Sequence, residues 1–214
     1  MGVAVTAQLD RLIAAGVPKV AGISAARLAD HAAGLPDVPG AVLAVHPRLA
    51  SPGRLSGLLR HGRRTGFVVE DMTDVDEFSP IDGLWVPDVP LYLVLDPARG
   101  DELRNTSPVE ALAALRSAGR TPLTLNEGIS WLLQHPDLLA PGACFMTIGS
   151  RKATTSGVDA RVPAIWISRG TGRDGPTRRN APKVGWCWAG NRHAWLGHAS
   201  ATARHPTPPP VMTA

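Results

Sequence analysis

Apolar positions recur with a helical period early in the chain and in short continuous or alternating runs later. In "VTAQLDRLIAAGV", Val5, Leu9, Leu12 and Ile13 fall on one stripe. "SAARLADHAAG" opens on Ser24 as a cap and stops at Gly34, so two short helices are predicted. "GAVLAVHP" reads as a strand. "SPGRLSGLLRHG" reads as a helix with Ser51 as cap, Pro52 just inside, Leu55, Leu58 and Leu59 on one face, and Gly62 at its end. The next run, "GFVVEDM", has strand character, and "LYLVLDP" is a short buried strand stopped by Pro97. "SPVEALAALRSAG" carries Ser107 as cap, Pro108 at the first position, Glu110 at the third and Gly119 past the end. "TLNEGISWLLQHP" is a further helix, stopped by Pro136. Strands "ACFMTIGS", "VPAIWIS" and "KVGWCWAG" follow, separated by Gly- and Arg-rich loops.

Helices first, then strands interleaved with helices, predict a single α+β domain over residues 1–204: a mixed β-sheet with flanking helices and an N-terminal helical segment. The tail 205–214, "HPTPPPVMTA", is expected to be disordered. A chain of 214 residues is long enough to bury a core without staples. Its two cysteines, Cys144 and Cys187, are expected to be reduced. Hydrophobic residues make up 44% and no run approaches a membrane span, so no membrane partner is expected. The start "MGVAVTAQLD" lacks a secretory pattern, which points to the cytoplasm. Its match to a myristoylation motif through Gly2 and Thr6 is outweighed by a composition typical of GC-rich bacterial genes.

The net charge of +4 is unevenly spread: residues 1–150 hold 12 Lys and Arg against 16 Asp and Glu, and residues 151–183 hold 8 against 2. The basic stretch "SRGTGRDGPTRRNAPK", with Arg178 and Arg179, suits phosphate recognition or a plain connecting loop. It lacks the P-loop order and the aromatic interleaving of a nucleic-acid surface, so no nucleic-acid partner is expected. The acidic run "EDMTDVDEF" reads as a solvated turn rather than a cation loop. Cys144, Cys187, His193 and His198 lack zinc-site spacing, and no metal is expected. "GWCWAGNRHAWLGHAS" puts Trp186 and Trp188 on one face of a strand, as core mass or as the wall of a pocket for a flat ring, with His193 close by.

One carboxylate stands apart. In an extended "GFVVEDM", Glu70 shares its face with Val68 and Met72, so it either reaches water at a strand end or sits in an apolar wall with a raised pKa. Arg48, His61 and Glu70 end three consecutive predicted elements, ends that a strand–helix–strand unit brings close. A carboxylate with an imidazole and a guanidinium nearby is a general acid/base set, and a surface Glu with unrelated Arg and His is the plain alternative.

From about residue 65 to 200 the chain resembles an actinobacterial family of proteins of unknown function, through "DMTDVDEFSPIDG", "GRTPLTLNEGI", "CFMTIGSR", "PAIWIS" and "KVGWCWAGNRHAWLG". In that family the strand before "DM" is usually aliphatic, so Glu70 and His61 are departures. Their arrangement resembles that of the cofactor-free bacterial Pictet–Spenglerases of β-carboline alkaloid biosynthesis. The resemblance implies Glu70 and His61 as catalytic residues, with Arg48, or Arg54 in its place, holding a substrate carboxylate. A tryptophan-type amine and an aldehyde would condense with no metal or redox cofactor. Trp186 and His193 would stand by the indole, and Arg178 and Arg179 would hold a phosphate if the aldehyde were a sugar phosphate. A homodimer is compatible with this reading, and a non-catalytic small-molecule-binding or interaction protein is its alternative.

Overall fold

The computed structural model describes residues 3–206. Six helices run α1 Val5–Ala15, α2 Val17–Ala21, α3 Ala25–Ala32, α4 Pro52–Ser56, α5 Pro108–Ser117 and α6 Leu125–Gln134. The main strands are β1 Val42–Val45, β2 Phe67–Val68, β3 Leu91–Leu95, β4 Cys144–Met146, β5 Arg161–Ile167, β6 Pro182–Trp188, β7 Leu196–His198 and β8 Ala203–His205. They form an antiparallel sheet of order β1-β3-β8 and a mixed sheet of order β7-β4-β5-β6-β2, in which β7 runs parallel to β4 and β2 parallel to β6. The fold is a single α+β domain, and among the described residues no helix is long and apolar enough to cross a membrane.

Helix α6 lies between the two sheets, and every residue of it except Leu133 is buried. Its two faces differ. Toward β1 it presents Asn126, Ser130 and Gln134, one residue per turn. Asn126 Nδ2 donates to the carbonyls of Val45 and Ala50, each at 3.0 Å. Val45 N–H donates to Ser130 Oγ at 3.0 Å, and Gln134 Nε2 donates to Leu43 O at 2.8 Å. From α1, Gln8 accepts from Leu43 N–H at 2.7 Å and donates to Ala41 O at 3.1 Å. Strand β1 is an edge whose backbone groups would be orphaned in the core, and these amides and the hydroxyl stand in for a missing neighbour strand. Toward the mixed sheet, α6 presents Gly128, where an added Cβ would lie 2.6 Å from Thr147 Cγ2, so glycine lets the helix sit close to the strands.

A second buried network fastens α6 to the antiparallel sheet. The Arg204 guanidinium, on β8, forks onto Glu127 at 2.6 and 2.7 Å and donates to Pro122 O at 3.0 Å and to Thr121 Oγ1 at 2.9 Å. Tyr92 OH and the Thr124 N–H also donate to Glu127. Burial and this carboxylate hold the Tyr92 phenol well above its usual range.

Three expectations are corrected. The helix beginning at Pro52 ends at Ser56 rather than Gly62, and Arg60–His61 pairs with Arg64–Thr65 in a hairpin turned by Gly62 at φ +55°. Its apolar spacing is met by tight turns instead: Leu55 and Leu59 are buried, and Leu58 N–H donates to Leu55 O at 2.9 Å. The acidic run is a turn with Glu70, Asp71, Asp76 and Glu77 exposed, but its Asp74 is an anchor rather than a solvated carboxylate. Arg161 Nη2 bridges Asp74 and Asp159, each at 2.6 Å, and Lys152 reaches Asp74 and Glu77. Hydrogen bonds from Arg161 hold the Asp74 carboxyl well below the usual range. Finally, His205, assigned to the tail, pairs with Leu93 in the sheet; residues 207–214 lie outside the described residues.

His198 on β7 is buried, and its Nε2 donates to Thr106 O at 3.2 Å. Burial pushes His198 below the ordinary histidine range, and it does the same to His46, His135 and His193. Below an unfolded-state pKa of about 6.5 the unfolded chain therefore binds more protons than the folded one, so stability falls with pH. Asp74 and Asp159, both depressed, add a further loss as pH drops through about 4 and below. Tm by scanning calorimetry is expected to decline as pH falls from about 7.5 to about 5, through the free-histidine pKa of ~6.5, and a flat profile across that interval contradicts the burial of these imidazoles.

Candidate functional site

The loop joining β5 and β6, residues 168–181, folds back on the outer end of that hairpin. Left-handed glycines make it compact: Gly170 has φ +69°, and a Cβ there would lie 2.9 Å from Arg179 Cα. Ser168 N–H donates to Ala181 O and Asn180 N–H to Ser168 O, each at 2.9 Å, which closes the base of the loop.

Trp166 and Lys183 are cross-strand partners at this end of the hairpin. Facing pairs of an antiparallel ladder share a side of the sheet, so the Lys183 ammonium lies 4.9 Å from the centroid of the Trp166 ring. Two residues on, Gly185 leaves room for the indole, since a Cβ there would meet Trp166 Cη2 at 2.5 Å. Lys183 Nζ donates to both Asp174 oxygens at 2.9 Å, and Ser168 Oγ donates to Asp174 Oδ2 at 2.7 Å. Both members of this ion pair are largely buried.

The pair divides two clefts. One, of about 320 Å³, has Trp166 and Trp195 as walls, their rings edge-to-face at 6.1 Å, with Arg169, Thr171 and Pro141 around the mouth. The other, of about 300 Å³, is lined by Phe67 to Asp71 on one side and by Arg173, Thr177 and Arg178 on the other. The first carries Arg169 and Lys183 against Asp174, one positive charge in excess. In the second, Glu70, Asp71 and Asp174 balance Arg173, Arg178 and Lys183. Arg169 is exposed, and among the described residues it makes no ion pair. Its guanidinium is available to an incoming anion.

The residues singled out in the sequence are distributed unevenly around these clefts. Glu70 lines the second cleft, but β2 ends at Val68 and the Glu70 side chain is exposed in the turn that follows, so it does not sit in an apolar wall. Arg178 lines the same cleft and lies 4.1 Å from the Phe67 ring centroid. His61 sits on the 60–65 hairpin with its Nδ1 3.0 Å from Asn180 O, touching the loop but not lining either cleft. Arg179 is exposed and packs by its backbone over Gly170. Arg48 is elsewhere, paired at 2.6 Å with Asp88 in solvent, and Arg54 donates to Val20 O. The three-element approach of Arg48, His61 and Glu70 therefore does not form, because the expected strand–helix–strand unit is interrupted by the hairpin.

Trp186 is on the opposite face of β6 from Lys183; its indole N–H donates to Asp71 Oδ1 at 3.2 Å and its ring packs on Trp188 at 4.6 Å. His193 backs the aromatic cleft, 5.6 Å from Trp195. Both cysteines are free thiols, and burial pushes Cys187 up to about 11. Trp166 and Asp174 are the residues the sequence did not point to, and nothing in it joined Trp195 of the tryptophan-rich segment to Arg169 and Lys183 of the basic stretch. A usable signal was present: pairing "PAIWIS" with "PKVGWCW" across the glycine-rich loop sets Trp166 opposite Lys183.

No curated protein and no solved structure matches this chain. A family model matches residues 11–207, and the chain thus belongs to DUF5701, a family of unknown function.

Proposed function

We propose that the protein binds a small, flat organic acid in the cleft walled by Trp166 and Trp195, with the acid group on Arg169 and beside Lys183. The observation that carries this reading is the meeting, in one cleft, of two indole rings set edge-to-face, the unpaired Arg169 guanidinium and the Lys183 ammonium that Asp174 holds in place. Aromatic walls supply stacking area, and a few charged groups fix orientation, which is the usual make-up of a small-molecule site. The balanced charge of the adjoining cleft suits a ligand that also bears an amine, such as an aromatic amino acid.

A second reading, condensation of a tryptophan-type amine with an aldehyde to a tetrahydro-β-carboline, is supported by one feature, the presence of Glu70 and Arg178 in the cleft next to the indole walls. An exposed Glu70 favours binding over acid/base catalysis, which works best in a site closed to water.

Both readings are tested together. Calorimetric titration with indole-3-acetate and L-tryptophan is expected to give saturable binding. Arg169→Met is expected to weaken it about tenfold or more, the order of one charge-assisted hydrogen bond. Arg179→Met, outside both clefts, is expected to leave it unchanged. No binding, or equal effects of the two variants, contradicts the proposal. Mass spectrometry of L-tryptophan with a panel of aldehydes, including aldose phosphates, decides the second reading: product from the wild type that is lost in Glu70→Gln supports it, and none above background rejects it.

A further inference from the structure

A separate groove of about 480 Å³ runs between α5 and the short hairpin of Ala153–Thr154 and Gly157–Val158. One face of α5, Val109, Leu112 and Arg116, forms one bank with helical spacing; Val158 stands on the other, and Ile81 and Ile148 line it as well. Among the described residues only four large hydrophobic side chains are exposed, and two of them, Val109 at 64% and Val158 at 58%, line this groove. Isolated exposed valines need no explanation, but two across one apolar channel do.

The charges in the groove point to the occupant. Arg116, on the last turn of α5, is exposed, and among the described residues its guanidinium makes no ion pair or hydrogen bond. Arg151 also lines the groove, its guanidinium engaged by the Asp159 carbonyl. Against these stands one acid, Asp82, so the lining carries a net positive charge. No aromatic side chain lines the groove, in contrast to the cleft between Trp166 and Trp195. We propose that this groove is a second binding site, for the alkyl chain of an aliphatic carboxylate whose head group pairs with Arg116. The branched apolar walls match a flexible chain, and the unpartnered guanidinium matches one carboxylate through its fork of donors.

The test is titration of the full chain with decanoate, below its micelle concentration, beside decan-1-ol as the same chain without the charge. Saturable decanoate binding is expected. Arg116→Gln is expected to weaken decanoate about tenfold or more while leaving decanol unchanged. Leu112→Glu is expected to abolish binding of both, with an unchanged circular dichroism spectrum confirming that the variant folds. Arg169→Met is expected to change neither, which separates this site from the aromatic cleft. Absence of decanoate binding overturns the proposal, as does binding indifferent to Arg116→Gln or to Leu112→Glu, or binding lost in Arg169→Met.

Discussion

Arg204→Ala is expected to destabilise the protein by about 3–5 kcal/mol, the range for removing one partner of a buried ion pair. Arg204 and Glu127 are 4% and 1% exposed, and Glu127 would be left with only the Tyr92 hydroxyl and the Thr124 N–H as donors. The carbonyl of Pro122 would lose its donor as well. Arg204→Lys keeps the charge but not the planar fork, so an intermediate loss is expected. Urea unfolding measures both. In a chain of this size each kcal/mol lowers Tm by roughly 2–4 °C. A loss under about 1 kcal/mol, the scale of a surface pair, would mean that the network does not hold α6 to the sheet.

Gly100→Ala is expected to cost about 3 kcal/mol or more, combining left-handed backbone strain with overpacking. Strand β7 is an edge of the mixed sheet, and the backbone at Arg99–Gly100 covers it: His198 N–H donates to Gly100 O at 3.2 Å. Gly100 has φ +71°, and a Cβ there would lie 2.1 Å from His198 O; the facing Gly197 would put one 2.4 Å from Arg99 O. Both obstacles are backbone, which cannot turn aside as a side chain can. Thermal unfolding of Gly100→Ala beside Gly40→Ala, which also has a positive φ but open space around it, isolates the close approach. Equal losses in the two variants would contradict it.

Much of this fold is legible from local signals. The caps at Ser24 and Ser107, the capping box of α5 and the apolar runs of β1, β3, β4, β5 and β6 mark elements whose residues settle their own conformation. What stayed hidden depends on distant partners. The helical patterns give no sign that Gln8, Asn126 and Gln134 are buried, and their burial follows only once β1 is known to be an edge facing α6. Glu127 closes the capping box of α6 with Thr124, yet its carboxylate also takes an arginine 77 residues away. Arg204 sits on a strand that composition assigned to the margin of a tail.

The candidate site was partly visible for the same reason. Glu70 and Arg178 were found from residue type and do share a cleft, whereas Arg48 was placed there by assuming that element ends meet. Trp186 drew attention by its neighbours Trp188 and Trp195, but strand alternation turns it away from Lys183. The aromatic wall comes instead from Trp166, which lies across the ladder from that lysine.

The central claim is the location of a flat organic acid, and the indole N–H resonances of the six tryptophans read it directly by NMR during titration with indole-3-acetate. The account predicts that the Trp166 and Trp195 signals shift together and saturate, while Trp131 on α6 and Trp188 on the opposite face of β6 stay in place. Shifts confined to Trp186 and Trp188, or no shift of any indole at millimolar ligand, would contradict it.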